Sequence, residues 1–497
     1  MTAIIRKILV SHDDWDYNTN ETPVGSHAAV TSDDSSCSSP HSLSLKGALG
    51  STFVCPLKCI MTPSTKIVPP TNRLHHALQV AGTGVSALRH RNFRLFFFGQ
   101  LISLTGTWMQ SLGQQWLVFT LSHSALQLGI VSAFQFLPVL LFSLFAGVIV
   151  ERMPKRRLIV ITQILFLLLS TILGLLVVSG HVQIWHVYII AALYGTVNAF
   201  DVPARQAFMV DMVGREDLTN GIALNSSIFN ASRIFGPAIA ALLINSVGIA
   251  ACFLLNAASF VPVIIGLLLM HVGVHHTPAQ VAKRQPLRQI AEGLAYIRRT
   301  ERVALIFGIV TANNIFGISF YVTLLPIFAT TVLHAHVDVL GEMGVALGIG
   351  ATVGAFVLAY LPTGPARGNL LLGGAVCMGL LLIAFGLSRS INLSLLLLVG
   401  VGFCVVSINS SGNALIQETT PDHLRGRVMS VWGLVLLGLT PIGSLIAGSL
   451  AQRIGAPLSV ITGAVVCISY AIYANIRAQH NHIMTIGDEP SYEPIMD

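Results

Sequence analysis

Twelve apolar runs of membrane-spanning length, in two sets of six, restrict this chain more than any other feature. The first set falls near 95–121, 125–150, 158–180, 184–204, 219–246 and 249–270. The second falls near 303–332, 340–361, 369–388, 392–412, 428–450 and 457–476. A hydrocarbon core of ~30 Å takes about 20 apolar residues per helix. Only 10% of the 497 residues are charged and 53% are apolar, whereas a soluble domain carries roughly 25% charged residues. A water-facing surface cannot be built from this composition. Pro and Gly are dispersed and form no repeat, so a fibrous protein is excluded as well.

The net charge of +7 matters through its placement. With the N-terminus set in the cytoplasm, nineteen Lys and Arg residues fall on inside loops and flanks, and only Arg389 and Arg453 fall outside. That asymmetry predicts both termini inside. The basic balance then reflects topology, and a nucleic-acid partner is a poor reading of it.

Residues 1–88 read as a polar N-terminal extension, Ser-rich between Ser32 and Ser44, with composition typical of disorder. Met1–Val10 lacks a proper apolar core and cleavage site for a signal peptide, and initiation near Met61 is an alternative. Cys55 and Cys59 alone are weak evidence for a metal. Residues 89–270 and 303–476 are expected to form six-helix bundles, with 271–302 as a cytoplasmic linker and 477–497 as a cytoplasmic tail. The linker holds an amphipathic stretch, Leu287–Tyr296, suited to lie along headgroups. Related segments recur in both halves: Gly214–Leu218 before Phe235-Gly-Pro237, and Thr420–Leu424 before Leu439-Thr-Pro441. Duplicated halves with Gly/Pro-interrupted spans point to a transporter with its substrate site at the midplane.

The loop after the second run reads Gly147-Val-Ile-Val-Glu151-Arg152-Met-Pro-Lys155-Arg156-Arg157. It resembles the signature of the major facilitator superfamily, with Glu151 where Asp is usual and Pro154 where Gly usually precedes the basic cluster. An ordinary positive-inside loop explains the basic residues but not Gly147. Further segments extend the resemblance: Gly106–Gln110, Asn198–Gln206 (with Asp201 and Arg205), Ala231–Pro237 and Leu424–Ser430. Together they are similar to the exporter branch that includes macrolide efflux pumps and the enterobactin exporter, often labelled transmembrane secretion effector. The resemblance implies an all-α integral membrane protein of the major facilitator fold, with twelve transmembrane helices in two pseudo-symmetric bundles. It further implies proton antiport, alternating access, and contact between the Glu151 acid and the N-terminal end of the eleventh helix. Gly236 and Pro237 match the fifth-span antiporter signature, and its other positions are filled by small residues, which favours export.

Polar residues within lipid are costly and face a cavity or another helix. The first span carries Gln100, Ser103, Thr107, Gln110, Ser111 and Gln114 at three- and four-residue spacing, on one face. Trp108 and Trp116 flank them. Tyr194 and Asn198 in the fourth span, and Asn313, Asn314 and Tyr321 in the seventh, join Thr107, Gln110 and Gln114 as candidate substrate contacts. Interhelical hydrogen bonding is the alternative for each. Arg233 lies ~21 Å along the fifth helix from Thr219 at 1.5 Å per residue, near mid-bilayer. It is expected either to bind an anionic or catecholate-like substrate or to clamp the bent helix. Gly147, Glu151, Arg152, Lys155, Arg156, Asp201, Arg205, Gly236 and Pro237 are the expected gating set, with Glu151, Arg152 and Asp201 in one charge network.

No nucleotide-binding G-x-x-x-x-G-K-[ST] run, cofactor motif or clustered metal-ligand set is visible. His275 and His276 suit a solvated loop. An enzyme and a membrane sensor are distant rivals, and uptake is the runner-up to export. The expected partners are a small-molecule substrate, the lipid bilayer and protons. No oligomer is specified, and a monomer is compatible with the sequence. A bacterial cytoplasmic membrane is the expected location.

Overall fold

The computed structural model describes residues 86–270, 286–359 and 365–480. Cys55, Cys59, the Ser-rich stretch, His275, His276, the tail beyond His480 and the Glu151 side chain lie outside the described residues.

Among the described residues, thirteen helices follow a short turn of helix at Ser86–Arg89. They are α1 (Arg91–Ser122), α2 (Ala125–Arg152), α3 (Lys155–Val178), α4 (Ile184–Val213), α5 (Leu218–Ser246) and α6 (Ala250–Leu269). After them come α7 (Pro286–Arg299), α8 (Glu301–Val332), α9 (Val337–Ala359) and α10 (Pro365–Leu387). The last three are α11 (Ile391–Thr419), α12 (Asp422–Ile454) and α13 (Ala456–His480). Eleven of the described helices are long and apolar enough to cross a membrane. The exceptions are α7, which is short, and α1, which has 32 residues but dilutes its apolar run with the glutamine and hydroxyl stripe. Burial of Gln100, Ser103, Gln110 and Gln114 turns that stripe into the protein.

The helices pack twice in the same order. In the first half α1 packs on α5 and α6, α3 on α4 and α6, and α2 on α4. In the second, α8 packs on α12 and α13, α10 on α11 and α13, and α9 on α11. Equivalent glycines make equivalent crossings: Gly195 of α4 abuts the Gln135 carbonyl of α2, and Gly402 of α11 abuts the Leu347 carbonyl of α9. Neither has room for a Cβ, and such small residues let helices pack closely in lipid.

The halves meet where α2 packs on α12 and α5 on α9. Ser132 and Ser444 hydroxyls lie 2.9 Å apart, and the Ser124 hydroxyl donates to Gln452 Oε1 at 3.1 Å. Gly129 lies against the Ser444 carbonyl, Gly448 against the Ala125 carbonyl and Gly438 against Leu140. Across the other seam Gly341 meets Ala241, Gly344 meets Pro237, and Gly348 meets Ile234 and the Arg233 backbone. These contacts lie toward the end of the bundle that carries His123, Arg389 and Arg453. At the opposite, basic end, Asp422–Gly433 packs on α7 rather than continuing along α2. Leu141, Phe142 and Phe145 of α2, with Ile222 and Phe229 of α5, are exposed there.

The amphipathic stretch is a helix whose apolar side is divided: Leu294 is exposed, and the rest turns toward the protein. Ile297 is buried, Ile290 and Tyr296 pack on the second half's core, and Gly293 sits against the Arg427 carbonyl. Arg427 pairs with Glu292 at 3.0 Å. The helix therefore straps the start of α12.

Candidate functional site

The first-span stripe divides into two uses. Most of it stitches the first half together. Gln110 Oε1 accepts from Asn256 Nδ2 at 2.7 Å, and Ser259 donates to Asn256 Oδ1 at 3.1 Å. Gln114 Nε2 donates to Gln135 Oε1 at 3.2 Å. Gln100 Oε1 accepts from Arg205 Nη1. Burial makes each such bond more valuable to keep than to form, since an orphaned partner costs about 1–3 kcal/mol. Thr107 donates to the Ser103 carbonyl at 2.9 Å and lies within hydrogen-bonding reach of Tyr194, whose ring packs on Phe166. Asn198 is half-buried on α4.

In the second half the candidates occupy an irregular stretch. Asn313–Ile318 is π-helical, with wider turns than the helix on either side, a feature that often marks functional sites. Asn313 and Asn314 donate to the carbonyls of Ile309 and Val310, each at 3.0 Å. Asn313 Oδ1 and Tyr321 Oη are buried without a hydrogen-bond partner among the described residues. Phe328–Val332 and Leu434–Gly438 are also π-helical.

Arg233 lies on the seam. Its guanidinium carbon sits 5.8 Å from the centroid of the Trp108 ring, a cation–π contact. Trp108 is steadied edge-on by Phe229, with centroids 5.6 Å apart. Arg233 also lies within electrostatic reach of Tyr321. Gly236, one turn on, is wedged against Trp108 and Met109. Pro237 is buried against Gly344.

The expected gating residues fall into separate contacts. Asp201, 4% exposed, accepts from Arg205 Nε at 2.5 Å, Thr162 Oγ1 at 2.6 Å and Gln163 Nε2 at 3.0 Å. Lys155 pairs with Asp211 at 2.9 Å. Arg156 caps the end of α6, donating to the carbonyls of Leu267 and Leu268 at 2.6 and 2.7 Å, where a cation suits the helix C-terminus. Arg152 is exposed, and a Cβ on Gly147 would meet nothing within 4 Å. Asp201 and Arg152 are thus not brought into one network. The N-terminal section of α12 is engaged by α7.

Sequence reasoning missed Asn256, Gln135 and the Thr162–Gln163 pair. Each is a polar residue inside an apolar run, so the signal existed, but their partners lie on other helices.

Duplicated bundles meeting along a close, glycine-lined seam suit a carrier, and the sequence profile of one carrier family, described as transmembrane secretion effector, matches residues 82–492. The chain belongs to that family. It is a multi-pass transporter of small molecules in the cytoplasmic membrane, not an enzyme. It is 26% identical over 384 residues to the staphyloferrin A transporter of Staphylococcus aureus, covering 76% of this chain and 95% of that protein. It is 28% identical over 369 residues to the multidrug efflux pump Tap of Mycolicibacterium fortuitum, covering 73% and 89%. The fold matches a bacterial homologue of the lysosomal transporter Spinster, solved inward-facing and occupied, with TM-score 0.59, 13% identity, and 81% and 99% coverage.

Proposed function

We propose that this transporter exports small organic molecules in exchange for protons, rocking its two bundles about the seam. One observation carries the reading. Close glycine contacts join the halves as far as Leu140–Gly438 and Arg233–Gly348, and beyond them Leu141, Phe142 and Phe145 of α2 and Ile222 and Phe229 of α5 are exposed, which we read as the two halves parting there. Taking the basic end as cytoplasmic, this is a carrier open to the cell interior, ready to load. The efflux function of its relatives supports the direction. In this reading α1 is a twelfth span, residues 89–270 and 303–476 are the moving bundles, and both termini are cytoplasmic.

The Asp201–Arg205 pair, Lys155–Asp211 and the Arg156 cap stiffen the first bundle, and the Gly147-to-Arg152 motif is assigned to closing the cytoplasmic end. Glu151→Gln is expected to slow transport without lowering expression, and wild-type transport in that variant counts against the gating role.

The test is reconstitution in vesicles with an imposed pH gradient and a panel of lipophilic dyes, macrolides and catecholates. Movement against the substrate gradient that collapses with a protonophore is the expected result. Movement indifferent to the pH gradient overturns proton antiport, and accumulation only in the uptake direction overturns export.

A further inference from the structure

Arg233 is a cation deep in a membrane-spanning helix, and no carboxylate among the described residues pairs with it. Among the described residues its guanidinium has the Trp108 face and neither an ion pair nor a hydrogen bond. Intramembrane ionisable side chains are held by partners or serve a ligand. The buried carboxylate of the first half, Asp201, is already occupied by Arg205, Thr162 and Gln163. A clamp on the bent helix would need the guanidinium to bond backbone carbonyls, as Arg156 does at α6, and Arg233 does not.

Around it the site is unfinished. Tyr321 is fully buried, yet its hydroxyl has no partner. A buried hydroxyl left unsatisfied costs free energy unless a ligand completes it. The group that satisfies a guanidinium and a phenolic donor together is an oxyanion, and the aromatic Trp108 face offers a flat surface beside it. Gly348 brings α9 against the Arg233 backbone, so the charge sits at the seam that opens and closes.

We propose that Arg233, Tyr321 and Trp108 form a carboxylate-selective subsite and that the transported molecules include organic anions carrying a planar apolar portion. Arg233 supplies the charge, Tyr321 donates to the same oxyanion, and Trp108 stacks on the apolar portion. The proposal rests on the export reading and names the substrate class of that site.

The test uses the full-length protein in lipid nanodiscs and two fluorescent probes, dansyl-glutamate and its neutral diamide, read by energy transfer from tryptophan. Wild type is expected to bind the dianion at least about tenfold more tightly than the diamide. Arg233→Gln should bring the two within about twofold, Arg233→Lys should keep part of the preference, and Tyr321→Phe should weaken only the dianion, by roughly three- to tenfold. Equal binding of both probes to wild type overturns the proposal. So does a preference that survives Arg233→Gln or, should that variant fail to fold, one unchanged in both Arg233→Lys and Tyr321→Phe. Vesicle transport separates the two readings. Charge preference without export sinks the export reading alone, and export without charge preference sinks the anion subsite alone.

Discussion

The two bundles share a packing order but not a chemistry. Register from the equivalent crossings at Gly195 and Gly402 places Ile408 and Gly412 where the first half has Asp201 and Arg205. In the first half that position is a buried ion pair with two further hydrogen bonds. In the second, Ile408 is 1% exposed and Gly412 admits the Trp432 ring, which meets Phe307 edge-on at 5.9 Å. The second half forms one large apolar cluster, and its polar side chains mostly bond their own helix. Helix order is therefore fixed by shape and close crossings, while the means of holding helices together can change completely between copies.

The shared part of this comparison should break both halves alike. Gly195→Val and Gly402→Val each drive a branched side chain into a backbone carbonyl, and neither variant should yield monodisperse protein in detergent. Tolerance of one and not the other would mean that the crossings are not equivalent. Asp201→Ala tests the difference. It strands Arg205 and should cost about 3–5 kcal/mol in denaturation within micelles, and joint replacement by Leu and Met should recover most of that loss. A cost below 1 kcal/mol would reduce the ion pair to decoration. Asn256→Leu should cost roughly 1–3 kcal/mol by orphaning Gln110, with additive behaviour relative to Asp201→Ala if the polar bonds act separately.

The smallest effect lies at the basic end. The Ser86 hydroxyl, then His90, hold the Asp217 carboxyl below its usual range, at 2.6 and 2.8 Å. An acid with a lowered folded value contributes above the unfolded value of about 3.9 and loses that contribution as pH falls through the folded one. The melting difference between wild type and Asp217→Ala should therefore be constant down to about pH 5 and shrink as acid protonates the carboxylate. A difference that grows on acidification would contradict this.

The spans and their duplication were legible because lipid demands long apolar runs, and α1 was legible despite its polarity because its polar residues kept helical spacing. The pairing of those residues was not. Gln110 and Asn256 are 146 residues apart, and nothing local tells Gln110 to turn toward α6 rather than the seam. The π-helical stretch around Asn313 was equally hidden, since a widened turn leaves the apolar pattern unchanged. Gly147 shows the converse, a motif position at which a Cβ would meet nothing within 4 Å, so its smallness is not used in this conformation. Arg233 stood out because a lone charge in an apolar run has no bland spacing to hide in, but its tryptophan bed required the helices in place.

The glycines along the seam have a mechanical consequence. Helices normally lock by setting ridges of side chains into grooves, and parting them means withdrawing each ridge. Gly129, Gly448, Gly341, Gly344 and Gly348 present little relief. The closed end therefore behaves as a smooth bearing whose grip comes from contact area. In the rocking cycle proposed above, a single added methyl there would act as a brake, and its place along the seam would decide which half of the stroke it slows.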